Sequence, residues 1–523
     1  MSAFDTVSRD VLAEFLRTAV VIDDAAYMPQ GDGKEKPPEA KLPGRVRVKR
    51  DAEPEPPARL SSHSLNTQLL VDSFACKGLV CAVIAPQMGE ERKERLVQVA
   101  EHCDIVVIDW QMFYDDGELT CALIKDLFER DKVAGERLRM VCVYSGDSVG
   151  VISGKLQDRI GLTSVGGDES LLSVGNVIVT ILTKSAVPED NVPERLIDRF
   201  SLFTKGLLSN TVLAALAGIR RNVHRVVGKF DPGLDPAYIS HRILSVPVET
   251  VEGEILSLIA AELESVIHQS TANLHINSDA VEKWLESDAG AGIKYDTLPG
   301  SNAEGPSLLK ELAKYGADKT REGASAKFPA LCNLVMNDKW IKESNVTTIL
   351  AGGDGKKTDR RFAMLSTLET RYEKCVPQLT LGTIVHDGTQ YLLCLLPRCD
   401  STRVPVTGRN FLFIKLVESS SEVDLIVEDG RESVDLSISR HPYDTLIYRF
   451  VPDVDKKPVM ARKDDETWQF YYTRADGSAG SVRWVTELKP QIAQAFANEY
   501  AAQVSRVGVK KSQWLHKLRK NKD

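Results

Sequence analysis

Three aspartates follow apolar segments in which β-strands are predicted to end. Asp23 and Asp24 come at the end of the predicted strand 18–23, and Asp109 closes the predicted strand 104–109. If these strands lie in one parallel sheet, the carboxylates meet at the same edge. Neighbouring carboxylates repel unless a cation neutralises them, and carboxylates, a backbone carbonyl and waters form the octahedral oxygen site that Mg²⁺ prefers. The sequence therefore predicts a Mg²⁺ site at this edge.

Two further polar residues follow later predicted strands. Ser145 comes after the strand 139–144, and Lys184 comes shortly after the strand 176–182. A metal ion, a hydroxyl and an ammonium around a carboxylate can neutralise the three equatorial oxygens of a phosphoryl group in transfer. Asp109 would then be the nucleophile and would become an acyl phosphate. The pattern predicts phosphoryl transfer to Asp109.

The first 192 residues alternate short β-branched segments with helical patterns, which is typical of a doubly wound α/β domain. We predict a five-stranded parallel sheet with intervening helices, its strands at residues 18–23, 79–85, 104–109, 139–144 and 176–182. In such sheets ligands bind at the carboxyl ends of the strands. The predicted elements therefore place all of the polar residues named above at the functional edge.

The segment 104–117, DIVVIDWQMFYDDG, resembles the receiver domain of response regulators in two-component signalling. The shared features are an apolar strand, a phosphoacceptor aspartate at Asp109, a methionine three residues later at Met112 and a glycine eight residues later at Gly117. The acidic pair, the hydroxyl residue and the lysine also follow in the order of that family. The resemblance covers roughly residues 15–200.

The resemblance implies a role for each residue of the predicted site. Asp109 would accept the phosphoryl group, and Asp24, Asp109 and the backbone carbonyl of Gln111 would bind Mg²⁺, with Asp23 assisting through water. Ser145 would donate a hydrogen bond to the phosphoryl group, and Lys184 would pair with it. Because phosphorylation adds about −1.5 to −2 charges and strong acceptors, it can pull the loop that bears Ser145 inward.

Three positions depart from the family pattern. The proline that usually follows the methionine is Phe113, and the proline that usually follows the lysine is Ser185. The aromatic switch residue expected three positions before the lysine is Ile181. An aliphatic side chain cannot track a moving hydroxyl as an aromatic ring does, so we expect the output of this domain to take a different route.

Residues 31–59 form a Pro-rich insertion of mixed charge after the first predicted strand. Mixed charge and proline keep a chain unpacked, so a solvated loop is the favoured interpretation. Its centre, RVRVKR at residues 45–50, alternates basic residues with valine. An edge strand or a docking patch for an acidic partner is the alternative.

The rest of the chain is predicted to form a helical region at 193–375, a β-rich domain with a closing helix at 376–505 and a basic tail at 506–523. The helical region begins with one long helix, whose apolar residues from Leu196 to Val226 recur mostly every three or four positions. We interpret that stripe as core, with a homodimer seam as the alternative. The β-rich domain is an antiparallel sheet or barrel, and the tail is a solubilising terminus or a contact for an acidic protein or nucleic acid.

Composition and missing motifs exclude several classes of protein. The 523 residues carry 66 basic and 74 acidic side chains, so the net charge of −8 argues against a protein that coats nucleic acid. No apolar run reaches 18 residues and the N-terminus lacks a signal pattern, which predicts a cytoplasmic protein without a membrane span. The nine cysteines include no C-x-x-C pair, and no Walker-type motif occurs.

We therefore predict a cytoplasmic signalling adaptor that responds to phosphorylation of Asp109. By analogy, it is similar to the large, atypical receivers of bacterial anti-phage defence systems. Its partners would be a separate histidine-kinase-like ATPase, or another phosphodonor protein, and a downstream effector. Its own chemistry would be self-phosphorylation rather than turnover. The alternatives are a Mg²⁺-dependent phosphohydrolase or nuclease using the same acidic residues, and a degenerate receiver that acts as a constitutive scaffold.

Overall fold

A computed structural model describes residues 2–27, 65–86, 90–135, 137–245, 250–295, 298, 304–372, 375–419, 421–430, 432–439, 441, 444–454, 457–473 and 477–505. The chain divides into two compact units, each made of two segments. The first unit comprises Met1–Val226 and Glu262–Ala291, and the second comprises Val227–Ala261 and Gly292–Asp523. The predicted divisions at residues 192 and 375 do not coincide with these limits.

Residues 2–229 form seven helices and nine strands in the described part of the chain. They are α1 (Ala3–Phe15), β1 (Thr18–Ile22), β2 (Ala26–Tyr27), β3 (Leu65–Asn66), α2 (Thr67–Cys76), β4 (Val80–Ile84), α3 (Glu90–Ala100), β5 (Ile105–Ile108), α4 (Glu118–Val133), β6 (Arg139–Ser145), α5 (Val149–Ile160), β7 (Thr163–Val165), β8 (Asp168–Val174), β9 (Val177–Thr183), α6 (Val192–Thr204) and α7 (Leu207–Lys229).

The main sheet of the first unit has the strand order β4-β1-β5-β6-β9-β8-β7. The first five strands are parallel, which confirms the predicted doubly wound parallel sheet. The hairpin of β7 and β8 extends the sheet with two antiparallel strands that the sequence pattern did not predict. Only Leu171 and Leu172 are buried in β8, so its apolar pattern is weaker than that of the parallel strands.

Both faces of the parallel sheet are covered, as the continuous apolar runs of its strands require. On β1, Ala19 and Val21 belong to one core cluster, and Val20 and Ile22 belong to the cluster on the opposite face. Alternate residues of a strand point to opposite faces, so each apolar run contributes to two cores.

The predicted long helix after residue 193 is two helices. α6 ends at Thr204, and Lys205 adopts an extended conformation with ψ 119° before α7 begins at Leu207. The apolar stripe also divides into two parts. Leu196 and Phe200 of α6 are buried in the core of the first unit, so α6 belongs to the α/β unit despite the division predicted at residue 192.

Residues 230–375 are predominantly helical, as predicted, in the described part of the chain. Their helices are α8 (Asp235–Leu244), α9 (Thr250–Gln269), α10 (Ser278–Leu285), α11 (Gly305–Arg321), α12 (Ala324–Lys327), α13 (Cys332–Val335), α14 (Asp338–Lys342), α15 (Asn345–Ala351) and α16 (Gly355–Thr367).

The C-terminal region is β-rich and ends in a helix. Its elements are β10 (Thr383–His386), β11 (Tyr391–Cys394), α17 (Arg398–Ser401), β12 (Arg409–Glu418), β13 (Leu425–Asp429), β14 (Glu432–Ile438), β15 (Thr445–Phe450), β16 (Arg462–Asp464), β17 (Thr467–Thr473), β18 (Ala479–Glu487) and α18 (Pro490–Ser505).

Antiparallel pairing closes six of these strands into a barrel. The order β11-β10-β18-β17-β15-β12 returns to β11 through the pairing of β11 with β12, which removes the open edges of a flat sheet. Aromatic residues fill the interior, where the Tyr448 and Tyr472 rings stack with their centroids 4.2 Å apart. The predicted antiparallel sheet or barrel is confirmed.

Two predicted segments, the insertion 31–59 and the basic tail 506–523, lie outside the described residues. The strands on either side of the insertion do come together, because β2 pairs in parallel with β3 through Ala26 and Leu65. Within the described residues, no helix combines the length and the apolar character needed to cross a bilayer.

Candidate functional site

The polar residues singled out in the sequence lie at the carboxyl ends of four neighbouring strands. Asp23 and Asp24 follow β1, and Asp109 follows β5. Ser145 is the last residue of β6, and Lys184 follows β9. Because the strands stand in the order β1-β5-β6-β9, these residues lie along one edge of the sheet.

A single ammonium group joins two of the carboxylates. Lys184 Nζ lies 2.9 Å from Asp23 Oδ2 and 3.0 Å from Asp109 Oδ1. All three side chains are buried, with at most 8% of any of them exposed. Burying charges in this way costs free energy unless they are paired, so the lysine compensates for both aspartates.

Burial and charge act on these groups in opposite directions. Burial raises the pKa of Asp109 above its usual range, although the nearby Lys184 charge works against that rise. For Lys184, burial alone would lower the pKa, but the charges of Asp109 and Asp23 outweigh it and leave the pKa raised. The lysine is therefore held in its charged form beside Asp109.

The remaining carboxylate oxygens are fixed by backbone amides. Asp109 Oδ2 accepts a hydrogen bond from the amide of Gln111 at 3.0 Å, and Asp23 Oδ1 accepts one from the amide of Ala25 at 2.8 Å. The Thr120 hydroxyl donates to the Asp109 carbonyl oxygen at 2.6 Å. These contacts orient the carboxylates before any ligand arrives, which is the preorganisation that transfer chemistry requires.

Asp24 contacts the loop that follows Asp109. Its Oδ2 accepts a hydrogen bond from the Phe113 amide at 2.8 Å. In this loop Phe113, Tyr114 and Asp116 all have φ between +55° and +60°. Proline is locked near φ −65°, so it cannot occupy position 113 with this backbone. The departure from the family pattern at Phe113 therefore has a conformational reason.

Gly117, the glycine eight residues after Asp109, faces the ring of Trp110. A Cβ atom at this position would lie 2.3 Å from the indole, and the residue has φ +80°. Trp110 is fully buried in the core on this side of the sheet. Glycine is required here both by the close approach and by the left-handed backbone.

Ser145 precedes a loop that contacts the loop after Asp109. The Ser145 hydroxyl oxygen accepts a hydrogen bond from the Asp147 amide at 3.2 Å, and the Lys184 amide donates to the Ser145 carbonyl at 2.8 Å. The Gln111 side-chain amide donates to Asp147 Oδ2 at 2.6 Å. Sequence reasoning missed Asp147 and the Gln111 side chain. The only signal for Asp147 is an acidic residue two positions after the hydroxyl residue.

Ile181, at the position of the family's aromatic switch, is 2% exposed and packs in the core. Its strand β9 lies between β6 and β8, so the β7–β8 hairpin covers what would otherwise be the sheet edge. A side chain at position 181 is therefore buried, and it cannot move between a buried and an exposed position as a switch residue would.

A comparison with protein-family models decides what this arrangement resembles. Residues 15–189 match the family described as a response receiver domain. The matched range includes β1 to β9 and all of the candidate site residues, which confirms the resemblance for the N-terminal part of the chain. A search of curated proteins and a search of solved structures each found no match.

The receiver domain offers oxygen ligands of the kind that Mg²⁺ prefers. Among the described residues, no group of three or more His, Cys, Asp or Glu side chains is arranged to hold a metal ion. Mg²⁺ commonly uses one or two carboxylates and keeps several waters. Asp24 and Asp109 supply two carboxylates at this edge of the sheet, and their assignment as Mg²⁺ ligands, together with the Gln111 carbonyl, stays a prediction from the sequence.

Proposed function

We propose that this protein is a signalling adaptor whose receiver domain is phosphorylated on Asp109. The bridge from Lys184 to Asp23 and Asp109 is the observation that carries the proposal. It supplies a buried cation beside the carboxylate at the position where a phosphoryl group would arrive. A carboxylate oxygen of Asp109 attacks the phosphorus, the bond from phosphorus to the donor breaks, and the donor leaves with that electron pair.

Each remaining site residue has a part in that transfer. Asp24, Asp109 and the Gln111 carbonyl would hold Mg²⁺, which neutralises phosphoryl oxygens when it is bound. Lys184 would exchange its contact with Asp109 for one with the new phosphoryl group while Asp23 keeps it in place. The Ser145 hydroxyl would leave the Asp147 amide to donate to a phosphoryl oxygen, and this would move the loop between β6 and α5.

The proposal includes the partners of a receiver domain. The phosphodonor that we propose is a separate molecule, a histidine-kinase-like ATPase in bacterial defence against phage. A downstream effector protein would read the moved loop, and the cytoplasm would be the compartment. The basic tail is a candidate contact for nucleic acid, and a second copy of the chain is a further partner.

The proposal is tested by treating the purified full chain with Mg²⁺ and acetyl phosphate and measuring its intact mass. We expect one added phosphoryl group per chain, which EDTA prevents and which the Asp109→Asn variant does not acquire. Beryllofluoride should bind the wild type and not that variant. An adduct that persists in Asp109→Asn would contradict the assignment of the phosphoacceptor, and steady release of phosphate from many equivalents of donor would indicate a phosphohydrolase instead.

A degenerate receiver is the second candidate, and two contacts favour it. Lys184 is already paired with two carboxylates, and Asp24 is already hydrogen-bonded to the Phe113 amide. The pocket is thus largely satisfied without a ligand. A scaffold of this kind would take up neither phosphate nor beryllofluoride, and Asp109→Asn would leave its partner binding unchanged.

A further inference from the structure

One helix of the first unit presents large aliphatic side chains to solvent. In α7, Leu208, Val212, Leu216 and Val223 are between 41% and 56% exposed. The buried face of the same helix carries mostly small residues, namely Asn210, Leu213, Ala214, Ala217 and Gly218. A helix on the surface of a globular protein ordinarily buries its large apolar residues and exposes polar ones. α7 thus exposes large aliphatic side chains that such a helix would ordinarily bury.

Contacts on the buried face prevent α7 from turning its aliphatic side inward. A Cβ atom on Gly218 would lie 2.9 Å from the Cβ atom of Ser270, so only glycine allows this approach. The Asn210 side-chain amide donates a buried hydrogen bond to the Ser8 hydroxyl at 2.9 Å, which fixes the inward side near the start of the helix. The outward orientation of the aliphatic stripe is therefore built into the unit.

The residues of this aliphatic stripe on α7 are spaced along the helix as they are in two helices that pack together. Val212, Leu216, Ile219, Val223 and Val226 follow each other at steps of four, three, four and three residues. That 3.5-residue period is the pattern of a coiled-coil seam and keeps the apolar side chains facing one partner helix. Residues 207–219 also contain no charged side chain, although much of this face is exposed. We call the stripe from Leu208 to Val226 the α7 seam.

We propose that the α7 seam is a homodimer interface in which it packs antiparallel against the same helix of a second copy. The chain itself carries an apolar stripe of matching length and period, and a two-fold axis pairs this surface with itself. In the register that the pattern favours, Val212 faces Val223 of the second copy and Leu216 faces Ile219 of the second copy.

The distribution of charge selects the antiparallel orientation. Arg220 and Arg221 are engaged within the unit, Arg220 with the Phe15 ring and carbonyl and Arg221 with Glu14 at 2.7 Å. Arg225 lies further toward the C-terminal end of α7. A parallel pair would set these basic ends side by side. An antiparallel pair sets each basic end beside the uncharged half of the other helix and opposes the two helix dipoles.

The size of the seam determines how strong the dimer is. A helix of 23 residues is about 35 Å long, and a stripe about 10 Å wide along it gives on the order of 700 Å² for both copies together. Stable complexes bury roughly 1,200–2,000 Å². The dimer is therefore reversible, with a dissociation constant in the micromolar range or weaker, and it depends on protein concentration.

Sedimentation velocity of the full chain over a wide concentration range tests this proposal. The wild type should shift from monomer to dimer as its concentration rises. The double variant Leu216→Glu, Val223→Glu should remain monomeric at every concentration, because it places unpaired charges in the seam. If that variant fails to fold, Leu216→Gln with Val223→Gln keeps helix-compatible residues and should weaken the dimer at least tenfold.

A matched control separates the α7 seam from exposed aliphatic surface in general. Val133, on α4, is 90% exposed, and Val133→Glu should leave the dimer unchanged. Asp109→Asn should dimerise as the wild type does, so the interface and the proposed phosphorylation can fail independently. The proposal would be overturned if the wild type stayed monomeric at every concentration, as it would if another part of the chain covered the seam. It would also be overturned if both seam variants still formed the dimer.

Cysteine cross-linking tests the orientation. In a background with the exposed Cys76, Cys375 and Cys399 replaced by serine, a mixture of Val212→Cys and Val223→Cys chains should form a disulfide-linked heterodimer under mild oxidation. Val212→Cys alone should not cross-link, since disulfides need Cα atoms within about 7 Å. Efficient cross-linking of Val212→Cys with itself would show a parallel pair and contradict the proposed geometry.

Discussion

The side-chain amide of Gln111 donates a 2.6 Å hydrogen bond to the carboxylate of Asp147. This bond joins the loop after β5, which carries the candidate nucleophile Asp109, to the loop after β6, which follows directly on Ser145. The Gln111 backbone amide also binds Asp109. One residue thus contacts Asp109 and holds the loop that moves on phosphorylation under the proposed function.

The charge of Asp147 should slow phosphorylation, because it adds a negative charge near the site that an anionic phosphodonor must enter. Asp147→Asn keeps an oxygen that accepts from Gln111 but removes the charge. We expect labelling by acetyl phosphate to become roughly three times faster or more, which corresponds to removing about 0.7 kcal/mol of repulsion. Time courses of intact mass measure this rate. Asp158→Asn, on the exposed side of α5, is the control and should leave the rate unchanged. An unchanged rate in Asp147→Asn as well would show that the charge of Asp147 does not affect the reaction at Asp109.

Removing Lys184 should destabilise the receiver domain more than removing either aspartate. Lys184→Met leaves Asp23 and Asp109 buried together without a cation, and breaking a buried pair in this way costs about 3–5 kcal/mol. Asp109→Asn leaves Lys184 paired with Asp23 and should be tolerated. Hydrogen exchange of the β1 and β5 peptides, followed by mass spectrometry, locates the effect within this domain. If Lys184→Met leaves exchange unchanged, the ion pairs do not stabilise the fold.

Rescue provides the control for that experiment. Adding Asp23→Asn and Asp109→Asn to Lys184→Met removes the uncompensated charges, so the triple variant should recover much of the lost protection. A triple variant as unprotected as Lys184→Met alone would mean that the lysine contributes by packing rather than by charge.

The parallel sheet and the closeness of Asp23, Asp109 and Lys184 were predictable because both depend on local patterns. The parallel strands are runs of consecutive apolar residues, such as residues 105–108, that end in a polar residue at the sheet edge. Once the strands are parallel and adjacent, Asp23, Asp109 and Lys184 must lie near one another. The sequence pattern alone was enough for that inference.

What sequence reasoning missed depends on backbone conformation that patterns do not encode. The Gln111–Asp147 bond requires the loop shape set by left-handed residues such as Phe113. The break at Lys205 was missed because Phe203 and Leu207 still follow at a helical spacing of four. A single extended residue interrupts the helix without interrupting the periodicity of its side chains.

Stability should depend on pH through Asp109. Because burial raises its folded-state pKa, the folded chain binds more protons at this group than the unfolded chain does between the two pKa values. Asp109 therefore lowers stability progressively as pH rises from about 4, its unfolded pKa, through the raised folded pKa, and the cost is constant above that. Asp109→Asn lacks this cost.

The difference in melting temperature between Asp109→Asn and the wild type, measured from pH 4 to pH 8, checks this sign. The difference in favour of the variant should be smallest at the acidic end, grow with pH and then level off. A difference that shrinks as pH rises would mean that Lys184 lowers the pKa of Asp109 more than burial raises it.

The close approach of Gly117 to Trp110 can be separated from its backbone conformation by a pair of alanine substitutions. Gly117 and Gly135 both have positive φ, but a Cβ atom on Gly135 would meet nothing within 4 Å. Gly135→Ala should therefore cost only the left-handed strain of about 1–2 kcal/mol. Gly117→Ala adds a clash with the indole and should cost about 1–3 kcal/mol more. Hydrogen exchange of the β5 amides as the temperature rises measures the stability that each variant loses. Equal losses of stability in the two variants would show that the Trp110 ring moves aside at no cost.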